Sequence, residues 1–265
     1  MLARQRQVVI LDEVRRTGAV RVSDLVERLG VSDMTVRRDL DVLAGRGLVE
    51  KVYGGATSMV GRSTDEPGFE AKSVRALPEK EAIAARAAAI VRPGTAIGLS
   101  AGTTTWTLAH LLDDVESLTV VTNSIKVADV LQSSGRTDRS VVLTGGVRTP
   151  SDALVGPIAV RALRTLHLDL VFLGVHGISV RAGFTTPNLL EGEANRALLE
   201  AAARTVVIAD HSKWDTVGLS TIARLDEAHM LVTDSGLPED AREILAEEVS
   251  ELVIAAVGGH RVETA

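Results

Sequence analysis

Val31-Ser-Asp-Met-Thr-Val-Arg-Arg-Asp-Leu-Asp-Val-Leu43 carries its own helix start signal and two distinct faces. Ser32 is a good N-cap, placed to accept a hydrogen bond from the amides of the next turn. Val36, Leu40 and Leu43 recur at the i, i+4, i+7 spacing of a buried stripe. Thr35, Arg37, Arg38 and Asp41 are left to face outward. Apolar backing with a basic, hydroxyl-bearing front is the surface that a DNA major groove accepts.

The flanking segments extend this reading. Gln5 to Arg16 is expected as a first helix, with Val8, Leu11, Val14 and Arg15 around its buried stripe and Thr17-Gly18 as its stop. Val20-Arg-Val22 is short and extended. Ser23 or Asp24 caps a second helix over Leu25–Leu29, which Gly30 ends in the left-handed position after the last turn. Gly45 and Gly47 break the third helix. Leu48 to Tyr53 alternates like a strand before Gly54-Gly55, so a two-stranded wing follows. Helix, helix-turn-helix, then wing is the order of a winged helix.

This segment resembles the N-terminal domain of the DeoR family of bacterial transcriptional repressors. The resemblance rests on Leu25, Val31-Ser32, Thr35-Val36-Arg37-Arg38-Asp39-Leu40, Leu43, Gly47 and the Gly54-Gly55-Ala56 that closes the wing. It implies that Ser32, Thr35, Arg37, Arg38, Lys51 and Tyr53 face operator DNA. Tyr53 stands where the family commonly shows a histidine, and it keeps a polar tip for a backbone phosphate.

Composition limits what else the chain can be. There is no cysteine among the 265 residues, which excludes disulfides and cysteine-based metal sites or nucleophiles. No apolar run reaches the ~18 residues of a membrane span, and no secretory signal follows the first residues, so the expected compartment is the cytoplasm. The net charge of −6 is unevenly placed: residues 1–62 carry +3 and residues 63–265 carry −9. A positive head on an acidic body suits a protein that touches DNA with one domain. The expected division is a winged helix-turn-helix domain over 1–57, a linker over 58–77 and a larger α/β domain over 78–265. The linker is read from Gly61, Ser63, Pro67-Gly68 and the absence of sustained periodicity.

From Glu79 onward, helices alternate with apolar strands. Strands this apolar are buried on both faces, as in a mostly parallel sheet covered by helices. Ligands in such sheets bind beyond the carboxyl ends of the strands, and polar residues gather there. Ser100, Gly102, Thr103, Thr104 and Thr105 follow the first strand, and Thr122, Asn123 and Ser124 the second. Gly145 and Gly146 follow the third, Gly174 and Gly177 the fourth, and Asp210 and Lys213 the fifth. Glycine permits close backbone approach, hydroxyls add donors, and Lys213 supplies the fixed positive charge that a phosphate needs. Asp210 and Asn123 suit sugar hydroxyls.

The order Gly-Thr-Thr, Thr-Asn, Gly-Gly and Asp-x-Ser-Lys is similar to the effector domain of the DeoR family, which is related in fold to ribose-phosphate isomerases and CoA transferases. The resemblance covers about residues 3–257. It implies an operator-binding repressor of carbohydrate genes, released by a phosphorylated sugar or sugar derivative and acting as a dimer or tetramer. Many members carry an aspartate where Ser100 stands. No cofactor and no catalytic residue are expected. His176, His211 and His260 have no second ligand at metal spacing, so no metal is expected either. Glu191 and Glu193 read as acidic residues favoured at a helix start. The alternative is a sugar-phosphate isomerase or transferase-like enzyme with an appended DNA-binding head.

Overall fold

The computed structural model describes residues 2–17, 19–46, 48–52, 54–58 and 68–258. The chain divides into two compact units, Met1–Arg62 and Ser63–Ala265.

In the smaller unit the order is α1 (Ala3–Thr17), β1 (Ala19–Arg21), α2 (Val22–Leu29), α3 (Asp33–Gly45), β2 (Val49–Val52) and β3 (Gly55–Ser58). The strands form an antiparallel sheet in the order β1-β3-β2, so the wing gains a third strand from the segment before α2. Gly55 sits where a Cβ would lie 2.0 Å from the Val20 carbonyl oxygen, so only glycine lets β3 approach β1. The core gathers Ile10, Val14, Val22, Leu25, Val36, Leu40, Leu43 and Val49.

Two expectations are corrected here. In α1 the buried pair is Ile10 and Val14, while Val8 is exposed. The stripe runs through Ile10 and Val14, one turn apart, with Leu11 packed partly buried beside them, which leaves Val8 on the outer face. In α2 the helix starts at Val22, with Arg21 at the N-cap and no side-chain cap. Val22 and Leu25 are both buried, and this burial sets the start in place of the Ser23 or Asp24 cap. Gly30 does end α2, with φ of 62°. Gly45 is the last residue of α3. Gly18, Gly47 and Tyr53 lie outside the described residues.

The larger unit runs α4 (Phe69–Ser73), α5 (Leu77–Ala88), β4 (Ala96–Leu99), α6 (Thr103–Ala109), β5 (Thr119–Thr122), α7 (Ile125–Ser133) and β6 (Ser140–Leu143). It continues with β7 (Val147–Arg148), β8 (Leu154–Val155), α8 (Pro157–Leu163), β9 (Leu170–Gly174), β10 (Gly177–Ser179), β11 (Gly183–Thr186) and α9 (Leu189–Glu200). The last elements are β12 (Thr205–Ile208), β13 (Ser220–Ala223), β14 (Met230–Asp234), α10 (Glu239–Glu248) and β15 (Leu252–Ala255).

Seven strands form one sheet in the order β15-β14-β12-β9-β4-β5-β6, and every neighbouring pair is parallel. Successive residues of a strand feed opposite faces. Phe172 and Ile208 join Ile83 of α5, Leu108 of α6 and Leu131 of α7 on one face. Leu173 and Val207 join Leu163 of α8, Leu198 of α9 and Leu245 of α10 on the other. The chain lays down β4, β5 and β6 in one direction, then returns to place β9 on the other side of β4. The crevice between β4 and β9 is therefore the switch point where such sheets bind ligands.

The small antiparallel sheet β10-β11-β13 and the hairpin β7-β8 were not expected from the sequence. Their strands are two to four residues long, too short to show a period. Residues 68–77, expected as linker, instead build α4 and the approach to α5. Phe69 is buried, edge-on to Trp106 with ring centroids 5.7 Å apart. One aromatic anchor of this kind leaves no periodic signature. Residues 59–67 of the expected linker lie outside the described residues.

Candidate functional site

The smaller unit presents α3. The Ser32 hydroxyl accepts the Thr35 amide at 3.3 Å and contacts the Thr35 hydroxyl at 2.9 Å, so the first turn is fixed. Arg37 and Arg38 are exposed, and Thr35 is half-buried. The two arginines differ. Arg37 Nε donates to Asp33 Oδ1 at 2.5 Å, one turn back, whereas Arg38 has no ion pair or hydrogen bond among the described residues. Lys51 of β2 pairs with Asp41 of α3, which ties the wing strand to the helix. Asp39, the acidic member of the Arg-Arg-Asp run, is buried and accepts Arg6 Nε at 2.8 Å and Gln7 Nε2 at 3.1 Å. The sequence reading gave Asp39 no role, because its partners on α1 are more than thirty residues away.

In the larger unit the five polar loops all leave the carboxyl edge of the parallel sheet. At the switch point the Ser100 hydroxyl accepts the Gly174 amide at 2.9 Å, joining the ends of β4 and β9. Gly102 takes a φ of 153°, with the Gly174 Cα only 4.0 Å from where a Cβ would stand. Thr105 donates to the Gly102 carbonyl at 2.9 Å, and Thr122 to the Leu99 carbonyl at 2.7 Å. Asn123 Oδ1 accepts the Ala101 amide at 2.9 Å, and its Nδ2 donates to the Leu154 carbonyl at 3.3 Å. Ser124 caps α7 by accepting the Val127 amide at 3.2 Å. Gly145 and Gly146, with φ of 73° and 121°, turn the chain from β6 into β7. At Gly177 a Cβ would lie 2.1 Å from the Thr216 carbonyl oxygen.

These contacts sort the predicted residues by what their atoms still offer. Ser100, Thr105, Thr122, Asn123 and Ser124 spend their polar atoms on shaping loops. The hydroxyls of Thr103 and Thr104 make no hydrogen bond among the described residues. Lys213 is half-buried, and its ammonium likewise has no partner there. Asp210 is buried and accepts the Ser212 amide at 3.1 Å as well as the Ser212 hydroxyl.

The sequence reading passed over Asp234 and Asn188, and it did not foresee the partners of His211 and Glu191. Asp234, at the end of β14, is fully buried and accepts the His211 amide at 2.7 Å, and its Oδ1 lies 2.8 Å from His211 Nδ1. That hydrogen bond raises the His211 pKa above its ordinary value of 6.5, against partial burial. Burial pushes the Asp234 carboxyl up, but the His211 contacts and the Gly236 amide outweigh it and leave it below 3.8. Glu191 Oε1 accepts the Thr149 hydroxyl at 2.6 Å, and Asn188, not a glutamate, caps α9. Among the described residues no group of three or more His, Cys, Asp or Glu side chains is placed to hold a metal ion. No described helix is long and apolar enough to cross a membrane.

A winged helix with two exposed arginines on its third helix, joined to a parallel sheet with open polar loops at its switch point, is the build of a DNA-binding transcriptional regulator with a sensor domain. Residues 6–60 match the model of the DeoR-like helix-turn-helix domain, and residues 75–235 that of the DeoR C terminal sensor domain. The chain is 37% identical over 256 residues to the uncharacterized HTH-type transcriptional regulator YgbI of Escherichia coli strain K12, covering 96% of this chain and 99% of that one. It is 32% identical over 233 residues to the transcriptional repressor AccR of Agrobacterium fabrum, covering 87% and 89%. Among solved structures it is similar to ribose 5-phosphate isomerase A from Methanocaldococcus jannaschii, at 16% identity and a TM-score of 0.38 over 52% of this chain and 54% of that one. The chain belongs to the DeoR family of transcriptional regulators.

Proposed function

We propose that this regulator represses carbohydrate-metabolism genes by holding operator DNA with its winged helix, and that a phosphorylated sugar or sugar derivative at the β4–β9 crevice releases it. The observation that carries this reading is a set of donors at one sheet edge, the Thr103 and Thr104 hydroxyls and the Lys213 ammonium, that have no hydrogen-bond partner among the described residues. These donors stay open to solvent, because the buried side-chain polar atom without a partner among the described residues is Arg139 Nε, and a cation with hydroxyls and backbone amides suits a phosphate ester. The pocket binds without turnover, because the two carboxylates nearest to an acid–base role, Asp210 and Glu191, are held by Ser212 and Thr149. The enzyme scaffold serves as a sensor. Release requires that ligand and operator favour different arrangements of the protein. A dimer or tetramer pairs two recognition helices on a symmetric or repeated site, and the protein works in the cytoplasm.

The test begins with DNA fragments selected on the full-length protein from a random library. The selected fragment is then challenged with a panel of pentose and hexose phosphates and their unphosphorylated sugars. Release by a phosphorylated member alone is expected. DNA retained against the whole panel would overturn the effector assignment, and conversion of a sugar phosphate to product would favour the enzymatic alternative.

A further inference from the structure

Met34, the second residue of α3, is 80% exposed, the highest value of any large hydrophobic side chain among the described residues. It takes no part in the core that Ile10, Val14, Val36, Leu40 and Leu43 build. At 3.6 residues per turn, successive side chains of a helix are rotated by about 100°. Met34 therefore projects about 150° away from the mean direction of the buried stripe Val36, Leu40 and Leu43, Arg38 about 165° and Arg37 only about 95°. Met34 and Arg38, four residues apart, stand one above the other on the crest of α3. Arg37 leans to the side and pairs with Asp33. The crest is fixed in place, because Ser32 caps the first turn and Asp39, facing inward, is fastened to Arg6 of α1. Nothing in the helix start asks for a thioether: caps are made by hydroxyls and carboxylates, and the first turn favours acidic side chains.

We propose that Met34 reads sequence in the operator complex by packing against the 5-methyl group of a thymine in the major groove. This rests on the operator-binding reading above and deepens it by naming the base feature that is recognised. Helix-turn-helix domains bring the N-terminal residues of this helix to the base edges, and Met34 lies in that turn. Across the major groove the bases present donors and acceptors, and the thymine methyl is the apolar group among them. A methionine side chain offers only a weak acceptor to a polar edge, but it is unbranched and polarizable and fits itself to an apolar neighbour. Contact with the methyl removes from water the apolar surface that the free protein leaves exposed. The crest thus sets an apolar reader one turn ahead of a charged one, Arg38.

The experiment uses DNA fragments selected on the full-length protein, in which each thymine in turn is replaced by deoxyuridine. The exchange removes the 5-methyl and leaves the base pairing and the phosphates as they were. Affinity is read by fluorescence anisotropy for wild type and for Met34→Ala at one salt concentration. Met34 is exposed and alanine is a strong helix former, so the variant should fold as wild type does. At one thymine position for each bound copy, the exchange should weaken wild type about fourfold, the effect of burying one methyl-sized group. At that position Met34→Ala should bind the thymine and deoxyuridine fragments alike. The same penalty in wild type and Met34→Ala at every position would overturn the assignment of Met34, as would a wild type indifferent to every exchange, and both would leave operator binding standing. Failure of wild type to select any fragment would overturn operator binding along with it.

Discussion

Arg6 of α1 and Asp39 of α3 form a charged hydrogen bond of 2.8 Å across the core of the DNA-binding unit, with side chains 13% and 5% exposed. The acid that follows the two outward arginines thus points the other way and fastens the recognition helix to the helix that opens the chain. Charge-assisted hydrogen bonds of this kind contribute roughly 1.5–3 kcal/mol. Asp39→Ala should lower the stability of this unit by about that amount, measured by denaturant unfolding of the full chain. Unfolding identical to wild type would show that the bond holds nothing.

The two arginines ahead of Asp39 should not be equivalent on DNA. Arg37 is already committed to Asp33, while Arg38 is free of ion pairs among the described residues. Arg38→Ala should therefore cost more operator affinity than Arg37→Ala, on the order of 1–3 kcal/mol if a base edge is lost. If Arg38 meets phosphate instead, the salt slope should fall by about one. Binding titrations at several salt concentrations separate these outcomes. Equal and negligible losses in both variants would remove α3 as the reading element.

Lys213 should matter to the ligand and not to the operator. Lys213→Ala removes an ammonium from the sheet edge, and no ion pair among the described residues breaks with it. The variant should bind selected DNA as wild type does and stay bound at sugar-phosphate concentrations that release wild type. Release at the same concentration would leave the lysine without a sensing role.

The His211–Asp234 pair should give stability a pH window. The raised His211 pKa contributes stability that is full below 6.5 and is lost as pH rises through the raised value. The lowered Asp234 pKa contributes stability present above 3.8 and lost as pH falls through the depressed value. The melting-temperature gap between wild type and His211→Ala should be widest from about pH 4 to 6.5 and should narrow toward pH 9. A gap that stays constant from pH 5 to 9 would show that the pair is not charged in the folded protein.

The buried stripe Val36, Leu40 and Leu43 and the Ser32 cap were legible because helix period and capping are local. The central strands were legible because a strand buried on both faces is a continuous apolar run, as in Leu170–Gly174. What escaped depends on distant partners. Phe69 gives no pattern until Trp106 meets it, and Lys80 gives none until the carbonyls of Lys72 and Arg75 take its ammonium. Asn123 and Ser100 looked like ligand contacts because their residue types fit, yet their atoms are taken by the Ala101 and Gly174 amides and the Leu154 carbonyl. Residue type at a strand end points to a candidate site, but only the bonding inventory separates the side chains that shape its loops from those with no hydrogen bond among the described residues.

The strand order has a consequence in time. β4 is the first strand of the large sheet to be made, yet it lies inside the sheet and needs β9, whose Leu170 pairs with Ile97. At ribosomal rates of about 5–20 residues per second, that partner follows roughly 4–15 seconds later. The winged helix completes its three strands and three helices within its own short span and waits for nothing downstream. During synthesis the reader of DNA is thus finished before the crevice between β4 and β9 can exist. A chain stalled in between would carry a finished helix-turn-helix domain beside a sensor domain whose central strands are still unpaired.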